Sequence, residues 1–199
     1  MEFKEISDTI IALKHKDLKL RDVLIKQQKF NEGYHKEMER LHLKNAEVLD
    51  KIITEIGYPT IAKVGEEASD AAWLIIQHAI SKPNFMRKCL QLLEIAVKNK
   101  EADAKNFAYL SDRIAFFENK PQKYGTQFNW DNQGKLSPNI FDNLEKVNQR
   151  RCALGLNSLE KQIEIMRERA KLENQIAPKD FVQYQKDFEI WKLKTGWIF

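Results

Sequence analysis

His78 is the residue whose type and surroundings most favour chemistry. It follows Gln77 in the apolar segment 71–80, where these two are the strongly polar side chains. A buried imidazole without a hydrogen-bond partner costs on the order of 1–3 kcal/mol, so the ring should be paired. Histidine titrates near neutral pH and is the commonest general acid or base. We predict His78 as a catalytic residue and Gln77 as a ligand-binding one. The alternative is a structural histidine bonded to a carbonyl or carboxylate.

The dipeptide Asp112-Arg113 ends an apolar run in another predicted helix. Successive helical residues diverge by about 100°, so the two side chains point in different directions. A buried aspartate could orient His78, and a buried arginine could bind a carboxylate or phosphate through two hydrogen bonds. We predict Asp112 as a catalytic residue and Arg113 as a ligand-binding residue. The alternative is a structural ion pair between helices.

A polar loop around Gly125 supplies four more candidate ligand-binding residues: Gln122, Tyr124, Thr126 and Gln127. Glycine permits positive φ and a close approach of a ligand to backbone N–H groups. The loop has no strong nucleophile beyond Thr126, which favours orientation of a polar ligand over covalent catalysis. We expect the loop, His78 and the Asp112-Arg113 pair to surround one cavity, because each would be costly if buried alone. The alternative is a turn that satisfies its own hydrogen bonds.

A metal site and a cofactor are not expected. His35, Glu39 and His42 lie at i, i+4 and i+7, on one face of a helix, but a fourth ligand is not evident. The chain has no P-loop, GxGxxG, HExxH or GxSxG motif and no zinc-type cysteine spacing. Cys89 and Cys152 have no neighbouring cue for a nucleophile.

Charge and hydropathy exclude several classes of function. The 33 basic and 29 acidic residues are well mixed, and the net charge is only +4. A dedicated nucleic-acid binder would cluster its basic residues on one face. No stretch approaches the ~20 apolar residues of a membrane span, and the first residues lack the apolar core of a signal peptide. We predict a cytoplasmic protein that binds neither nucleic acid nor membranes.

The apolar periodicity predicts an all-α fold, mainly a helical bundle, with a small irregular or β-hairpin insertion around 122–141. Asp17 interrupts the apolar stripe of the first helix, and Asn45 interrupts the second. We predict three parts. Residues 1–56 form an N-terminal helical arm or hairpin, where Gly33 marks either the corner or a weak point of one long helix. Residues 57–158 form the core domain with the site, and 159–199 form C-terminal helices that pack on the core or the arm.

The last helix carries an aromatic stripe: Phe181, Tyr184, Phe188 and Trp191. Each aromatic side chain buries about 150–250 Å², so an uncovered stripe would be a large apolar patch. We expect it to cover the stripe of Ile10, Leu13 and Leu20 on the first helix, within one chain or across a homodimer. The alternative is a surface that recruits a protein partner.

The chain resembles an uncharacterised bacterial domain family, over roughly residues 24–159, through a series of motifs: Gly57-Tyr58-Pro59-Thr60, Val64-Gly65, Ala72-Trp73 with Gln77-His78-Ala79, Tyr109-Leu110 with Asp112-Arg113, Gln122 with Tyr124-Gly125-Thr126-Gln127, and Arg150-Arg151 with Gly155-Leu156. The resemblance implies one shared site: His78, Asp112, Arg113, Gln122, Tyr124 and Gln127. It implies no activity. Such sequences often carry Asp-Gln followed by Arg before the Gly-Tyr-Pro turn, where this chain reads Lys26-Gln27-Gln28-Lys29-Phe30-Asn31. If that acid is catalytic, this chain has lost or relocated the activity.

Three functions remain open at this point. The leading hypothesis is a helical domain whose buried polar pocket binds a small polar molecule or a peptide segment. The second is a hydrolase or transferase that uses His78 as general acid or base. The third is a protein-interaction module, of the immunity or regulatory type, that acts through its terminal helices.

Overall fold

The computed structural model describes residues 3–27 and 34–199 of the chain. The fold is 68 % helical, and its strands in the described ranges form one two-stranded antiparallel hairpin. The prediction of a mainly helical fold with a small hairpin is confirmed. Gly33, the predicted corner or weak point, lies outside the described residues. The chain forms two compact units, Met1–Asp103 and Ala104–Phe199. The three-part division at 57 and 159 stays a prediction.

The first unit is built from five helices: α1 (Lys4–Lys26), α2 (Lys36–Ile56), α3 (Ile61–Val64), α4 (Glu66–His78) and α5 (Pro83–Lys98). Helix α4 packs against α1, α2, α3 and α5, and α1 also packs against α2. Residues on several faces of α4 are buried, including Ala71, Ile76 and Gln77. A helix that is apolar on most of its faces belongs inside a bundle, which explains why α4 is the centre of this unit.

The two polar interruptions predicted in α1 and α2 both face the interior. Asp17 is fully buried and Asn45 is 1 % exposed. The Asn45 side-chain amide donates to the carbonyl of Leu13 in α1, at 3.3 Å. Buried polar groups require hydrogen-bond partners. The two interruptions therefore mark places where α1 makes polar contacts with other helices.

The second unit contains α6 (Ala104–Phe117), β1 (Phe128–Trp130), β2 (Leu136–Pro138), α7 (Leu144–Ala153), α8 (Leu159–Leu172) and α9 (Phe181–Thr195). The strands pair Phe128 with Pro138 and Trp130 with Leu136. The Asp131 carboxylate accepts from the amides of Gln133 and Lys135, which closes the connecting turn.

The aromatic residues of α9 pack ring to ring on the end of α6. Phe188 lies 5.4 Å from Phe116 and Trp191 lies 5.5 Å from Phe117, measured between ring centroids. After the helix ends, Trp197 stacks on Phe117 at 4.9 Å. The stripe is thus covered at least in part within its own unit. Its packing on the first helix, and a protein partner or homodimer formed through the terminal helices, stay predictions. Among the described residues, no helix combines the length and the apolar character that a membrane crossing requires.

Candidate functional site

Three helices of the first unit bring one carboxylate and two imidazoles together. Asp17 comes from α1, His42 from α2, and His78 is the last residue of α4. Asp17 Oδ2 lies 3.0 Å from His78 Nδ1 and 3.0 Å from His42 Nε2. The two imidazole rings are 4.8 Å apart between centroids. We call these three residues the Asp-His-His cluster.

The cluster is buried at one end and open at the other. Asp17 is fully buried and His42 is 7 % exposed, whereas the side chain of His78 is 28 % exposed. The mutual packing of α1, α2 and α4 excludes water from the carboxylate. His78 is the member of the cluster that solvent or a ligand can reach.

Asp17 is held as a carboxylate. Burial alone raises the pKa of a carboxyl group, but the contacts with His42 and His78 outweigh it. The two imidazoles beside it therefore hold the pKa of Asp17 well below its ordinary value. The cluster therefore contains a buried negative charge at neutral pH.

Two atoms of the cluster lack a hydrogen bond from any described residue although both are buried: Asp17 Oδ1 and His42 Nε2. His42 Nε2 lies 3.0 Å from Asp17 Oδ2, but this contact lacks hydrogen-bond geometry. Only the contact between His78 Nδ1 and Asp17 has that geometry. Buried polar atoms without a partner are rare and ask for an explanation, such as a bound ion or water.

The outer side of His42 is joined to further polar groups. Tyr34 Oη lies 2.7 Å from His42 Nδ1. Ser81 Oγ donates to Glu39 Oε1 at 2.7 Å. Burial, together with the charges of Glu39 and Asp17, raises the pKa of Tyr34, so its phenol is neutral at ordinary pH.

The structure gives different contacts to the three residues that were considered as metal ligands, His35, Glu39 and His42. The His35 ring accepts from the amide of Glu37 at the start of α2, at 3.3 Å. Glu39 accepts from Ser81, and only His42 belongs to the Asp-His-His cluster. Spacing along one helix did not identify the cluster, because its other members lie on α1 and α4.

Asp112 organises the polar loop in the second unit. Its carboxylate accepts from three backbone amides, those of Lys123 at 2.8 Å, Tyr124 at 3.2 Å and Thr126 at 2.9 Å. Burial raises the pKa of Asp112, and these hydrogen bonds oppose that effect. The carboxylate that the structure pairs with His78 is Asp17, and Asp112 binds the loop.

The glutamines of the loop also bond within it. The Gln122 side chain is fully buried, and its oxygen accepts from the Gln127 amide at 2.7 Å. The Gln127 oxygen accepts from Arg113 Nε at 3.1 Å, and its nitrogen donates to Thr126 Oγ1 at 3.0 Å. Such contacts are expected if the loop is a turn that satisfies its own hydrogen bonds, which was the alternative to a ligand-binding loop.

A buried arginine and a close contact fix the loop from the other side. Arg151 donates to the carbonyls of Tyr124, at 2.8 Å, and Asn157, at 2.6 Å. Gly125 has φ +63°, and a Cβ at this position would lie 2.8 Å from Leu159 Cδ1. The loop is thus a rigid part of the second unit.

Within the second unit there is a cavity of ≈400 Å³ lined mainly by rings and amides, among them Phe116, Asn129, Asn139, Tyr184 and Phe188. The four candidate side chains of the loop are not part of this lining. His78 lies in the first unit, and Asp112, Arg113 and the loop lie in the second. Their convergence on one cavity, and a role for the buried Gln77, stay predictions.

The site residues predicted from the sequence do not include Asp17 or Tyr34, and a metal site with His42 was not expected. A signal existed for Asp17, since it replaces an apolar residue in the stripe of α1. The segment 26–31, where the family's acid was expected, does not contain it, and residues 28–31 of that segment lie outside the described ranges.

The model of one protein family matches residues 5–174, which include Asp17, His42, His78 and the whole polar loop. The chain is a member of the DUF6624 family, a family of unknown function. The predicted resemblance to a family without an assigned function is confirmed. The match spans residues of both units of this DUF6624 protein and ends before α9. No curated protein and no solved structure matches the chain.

Proposed function

We propose that this DUF6624 protein binds a divalent transition-metal ion at Asp17, His42 and His78 and uses it in a hydrolytic reaction. The observation that carries the proposal is the arrangement around Asp17. A buried, ionised carboxylate has two imidazole nitrogens at 3.0 Å, and its second oxygen is buried without a hydrogen bond from the described residues.

The donor set suits zinc or iron(II). Imidazole nitrogen and carboxylate oxygen are common ligands of both ions, and two histidines with one carboxylate recur in catalytic sites. With metal–ligand bonds of about 2.0–2.2 Å, neighbouring ligands of a tetrahedral site lie about 3.3–3.5 Å apart. Asp17 Oδ2 is 3.0 Å from each imidazole nitrogen, and the three donor atoms lie within 4.8 Å of one another, so side-chain movements of about 1 Å or less would accommodate an ion.

Three protein ligands leave a coordination position for water, which is the mark of a catalytic rather than a structural site. The partial exposure of His78 gives that position access to solvent. A bound divalent ion supplies Lewis acidity and lowers the pKa of its water to about 7. In this proposal Asp17 contributes negative charge, and His42 and His78 hold the ion in place.

A second candidate follows from the hydrogen bond between His78 Nδ1 and Asp17. Without a metal ion, a buried aspartate that orients an accessible histidine is the arrangement of a general base. His78 would then exchange a proton with substrate through Nε2. This form of the enzyme would be a hydrolase or transferase that works in the presence of chelator.

The substrate in either case is proposed to be a small polar molecule or a peptide segment. Support comes from the polar character of the Asp-His-His cluster and from the partial exposure of His78, through which such a ligand can reach it.

Metal binding is tested on the purified full chain after removal of metals with a chelator. We expect titration calorimetry with Zn²⁺ to give one site per chain, and Co²⁺ to give the visible absorption of a low-symmetry site. Asp17→Asn and His42→Gln should abolish both signals. Asp22→Asn and His15→Gln, which alter exposed residues of the same helix as Asp17, are the matched controls.

Either of two results would refute the metal site: no binding by the wild-type chain, or equal binding by wild type and Asp17→Asn. A measurement of activity in the presence of chelator distinguishes the second candidate function from the metal-dependent one. Once a substrate is found with a panel of ester, amide and phosphoester compounds, the metal enzyme loses turnover in chelator, whereas the Asp17–His78 enzyme keeps it.

A further inference from the structure

The ≈400 Å³ cavity of the second unit lies where the hairpin, the end of α6 and α9 meet. Sites for small molecules have volumes of ≈300–1,000 Å³, so the cavity suits a single small ligand. About half of its lining residues belong to α9, which the family match does not reach. The class of ligand must therefore be argued from the lining itself.

The walls of the cavity contain flat aromatic faces in nearly parallel planes. The ring planes of Tyr184 and Phe188, one turn apart on α9, differ by 2°, and those of Phe116 and Phe188 differ by 21°. Phe181 lies one turn before Tyr184, and Trp130 lines the cavity from β1. Aromatic pairs favour offset parallel stacking, so these rings suit a flat aromatic ligand better than a puckered sugar ring.

Two hydrogen bonds fix the side-chain amide of Asn129. Its Oδ1 accepts from the backbone amide of Trp130 at 2.9 Å and from Tyr184 Oη at 3.0 Å. A carbonyl oxygen has two lone pairs, so these two donors occupy it and set the position of Nδ2. Nδ2 bonds none of the other described residues, and Asn129 lines the cavity. Asn129 therefore provides a hydrogen-bond donor for a ligand.

Asn139 provides an acceptor. Its Nδ2 donates to the carbonyl of Gln127 at 3.1 Å, and its carbonyl accepts from Gln122 Nε2 at 3.1 Å. These bonds hold the residue on the rigid loop and leave Oδ1 without a partner among the described residues. Asn129 pairs with Ser137, so Asn139 is its diagonal neighbour across the hairpin. The cavity thus has a donor and an acceptor on neighbouring side chains, which suits the edge of a nucleobase.

The lysines that line the cavity are paired with acidic groups. Lys192 is buried, and its ammonium donates to Asn119 Oδ1 and to Glu189. Lys120 donates to Glu118 at 2.7 Å. Phosphate sites rely on charge-assisted hydrogen bonds from arginine or lysine. Because both cations already have acidic partners, the lining favours a neutral ligand over a phosphorylated one.

We propose that this cavity binds a neutral nucleoside, whose base stacks on Tyr184 and whose base edge bonds Asn129 and Asn139. The site consists of residues of the second unit alone. It does not depend on the metal site proposed at Asp17, and the two are tested with different ligands.

The purified full chain is titrated with adenosine, guanosine, cytidine and uridine by calorimetry, and each is examined by saturation-transfer NMR. We expect at least one of them to bind at one site per chain, with stronger saturation of the base protons than of the ribose protons. Methyl β-D-glucopyranoside, a neutral ligand without an aromatic ring, should not bind.

Two variants change the groups assigned to the base. Tyr184→Ala removes the stacking face, and loss of such a contact should lower affinity by about 5–150-fold. Asn129→Asp keeps the acceptor for Trp130 and Tyr184 but replaces the donor Nδ2 by oxygen, and a loss of similar size is expected. The matched controls are Leu193→Ala, at an exposed residue of α9, and Asn174→Asp, at an exposed asparagine. Both controls should bind as wild type does.

Three results would overturn the proposal: no binding of any of the four nucleosides, binding of the glucoside instead, or affinities of Tyr184→Ala and Asn129→Asp within twofold of wild type. A 5′-monophosphate that binds more than about tenfold tighter than its nucleoside would contradict a site for a neutral ligand. Circular dichroism checks that each variant is folded. If Tyr184→Ala unfolds, Asn129→Asp and the saturation pattern of the wild type decide.

Discussion

Replacing Gly125 by alanine should destabilise the second unit by about 2–5 kcal/mol, the sum of two separate costs. Gly125 has φ +63°, and a residue with a Cβ in this left-handed region costs roughly 1–2 kcal/mol. The new Cβ would also lie 2.8 Å from Leu159 Cδ1 and 3.1 Å from Cδ2. Forcing a methyl group into a packed contact costs about 1–3 kcal/mol more.

Gly155 supplies a matched control in the same unit. It has nearly the same backbone conformation, φ +64°, but a Cβ there meets nothing within 4 Å. Gly155→Ala should therefore cost only the backbone part, about 1–2 kcal/mol. The excess of Gly125→Ala over Gly155→Ala, about 1–3 kcal/mol, measures the contact with Leu159.

Urea unfolding followed by far-ultraviolet circular dichroism gives the free energy of unfolding of each variant. A double-mutant cycle adds Leu159→Ala, which shortens the side chain that the new Cβ would strike. In that background the excess cost of Gly125→Ala should disappear, because contacting residues are energetically coupled. Equal destabilisation by Gly125→Ala and Gly155→Ala in the wild-type background would refute the close packing of the loop on Leu159.

Three further predictions concern other contacts. In metal-free protein, Asp17→Asn should lower the free energy of unfolding by about 1.5–3 kcal/mol, because it removes a charge-assisted hydrogen bond to His78. Thermal unfolding measures this against exposed Asp22→Asn, and a change below about 0.5 kcal/mol would contradict it. Asp112→Asn leaves fewer acceptors for three loop amides and should cost about 3 kcal/mol or more, with faster hydrogen exchange at 123–126. Unchanged exchange there would disprove this role. Phe188→Ala, at a half-buried ring, should cost about 1–3 kcal/mol in urea unfolding, whereas Val182→Ala, at a residue 75 % exposed, should cost little. Similar costs for the two would mean that the aromatic packing of α9 on α6 contributes little.

Periodicity was sufficient to predict the elements of the fold. The stripe of α1, the apolar centre of α4 and the turn residues around the hairpin are local signals, and the structure has a helix or strand at each. These signals are strong because burial of one helix face, or of the whole helix, dictates residue types every three to four positions.

The sequence did not predict which residues the buried polar side chains contact. Periodicity shows that Asp17 faces inward but not that it meets His42 and His78, because helix packing sets which buried faces touch. His35, Glu39 and His42 are ligand-type residues at helical spacing along one helix, whereas the Asp-His-His cluster takes one residue from each of three helices. Likewise, periodicity does not show that the loop offers Asp112 three backbone amides, because these lie 11–14 positions further along the chain.

The hydrogen bond between Asp17 and His78 spans 61 positions of the chain, and this has a consequence during synthesis on the ribosome. The ribosome makes α1 before α2 and α4. Helix α4, on which α1 packs most extensively, is the last of the three helices that carry the Asp-His-His cluster. Contacts between residues so far apart in sequence form slowly, and exposed apolar surface on an unfinished chain invites aggregation. Until α4 is made, the face of α1 that packs on it stays exposed, and Asp17, which bonds His78 of α4, is a charged residue in that face that lowers its tendency to aggregate.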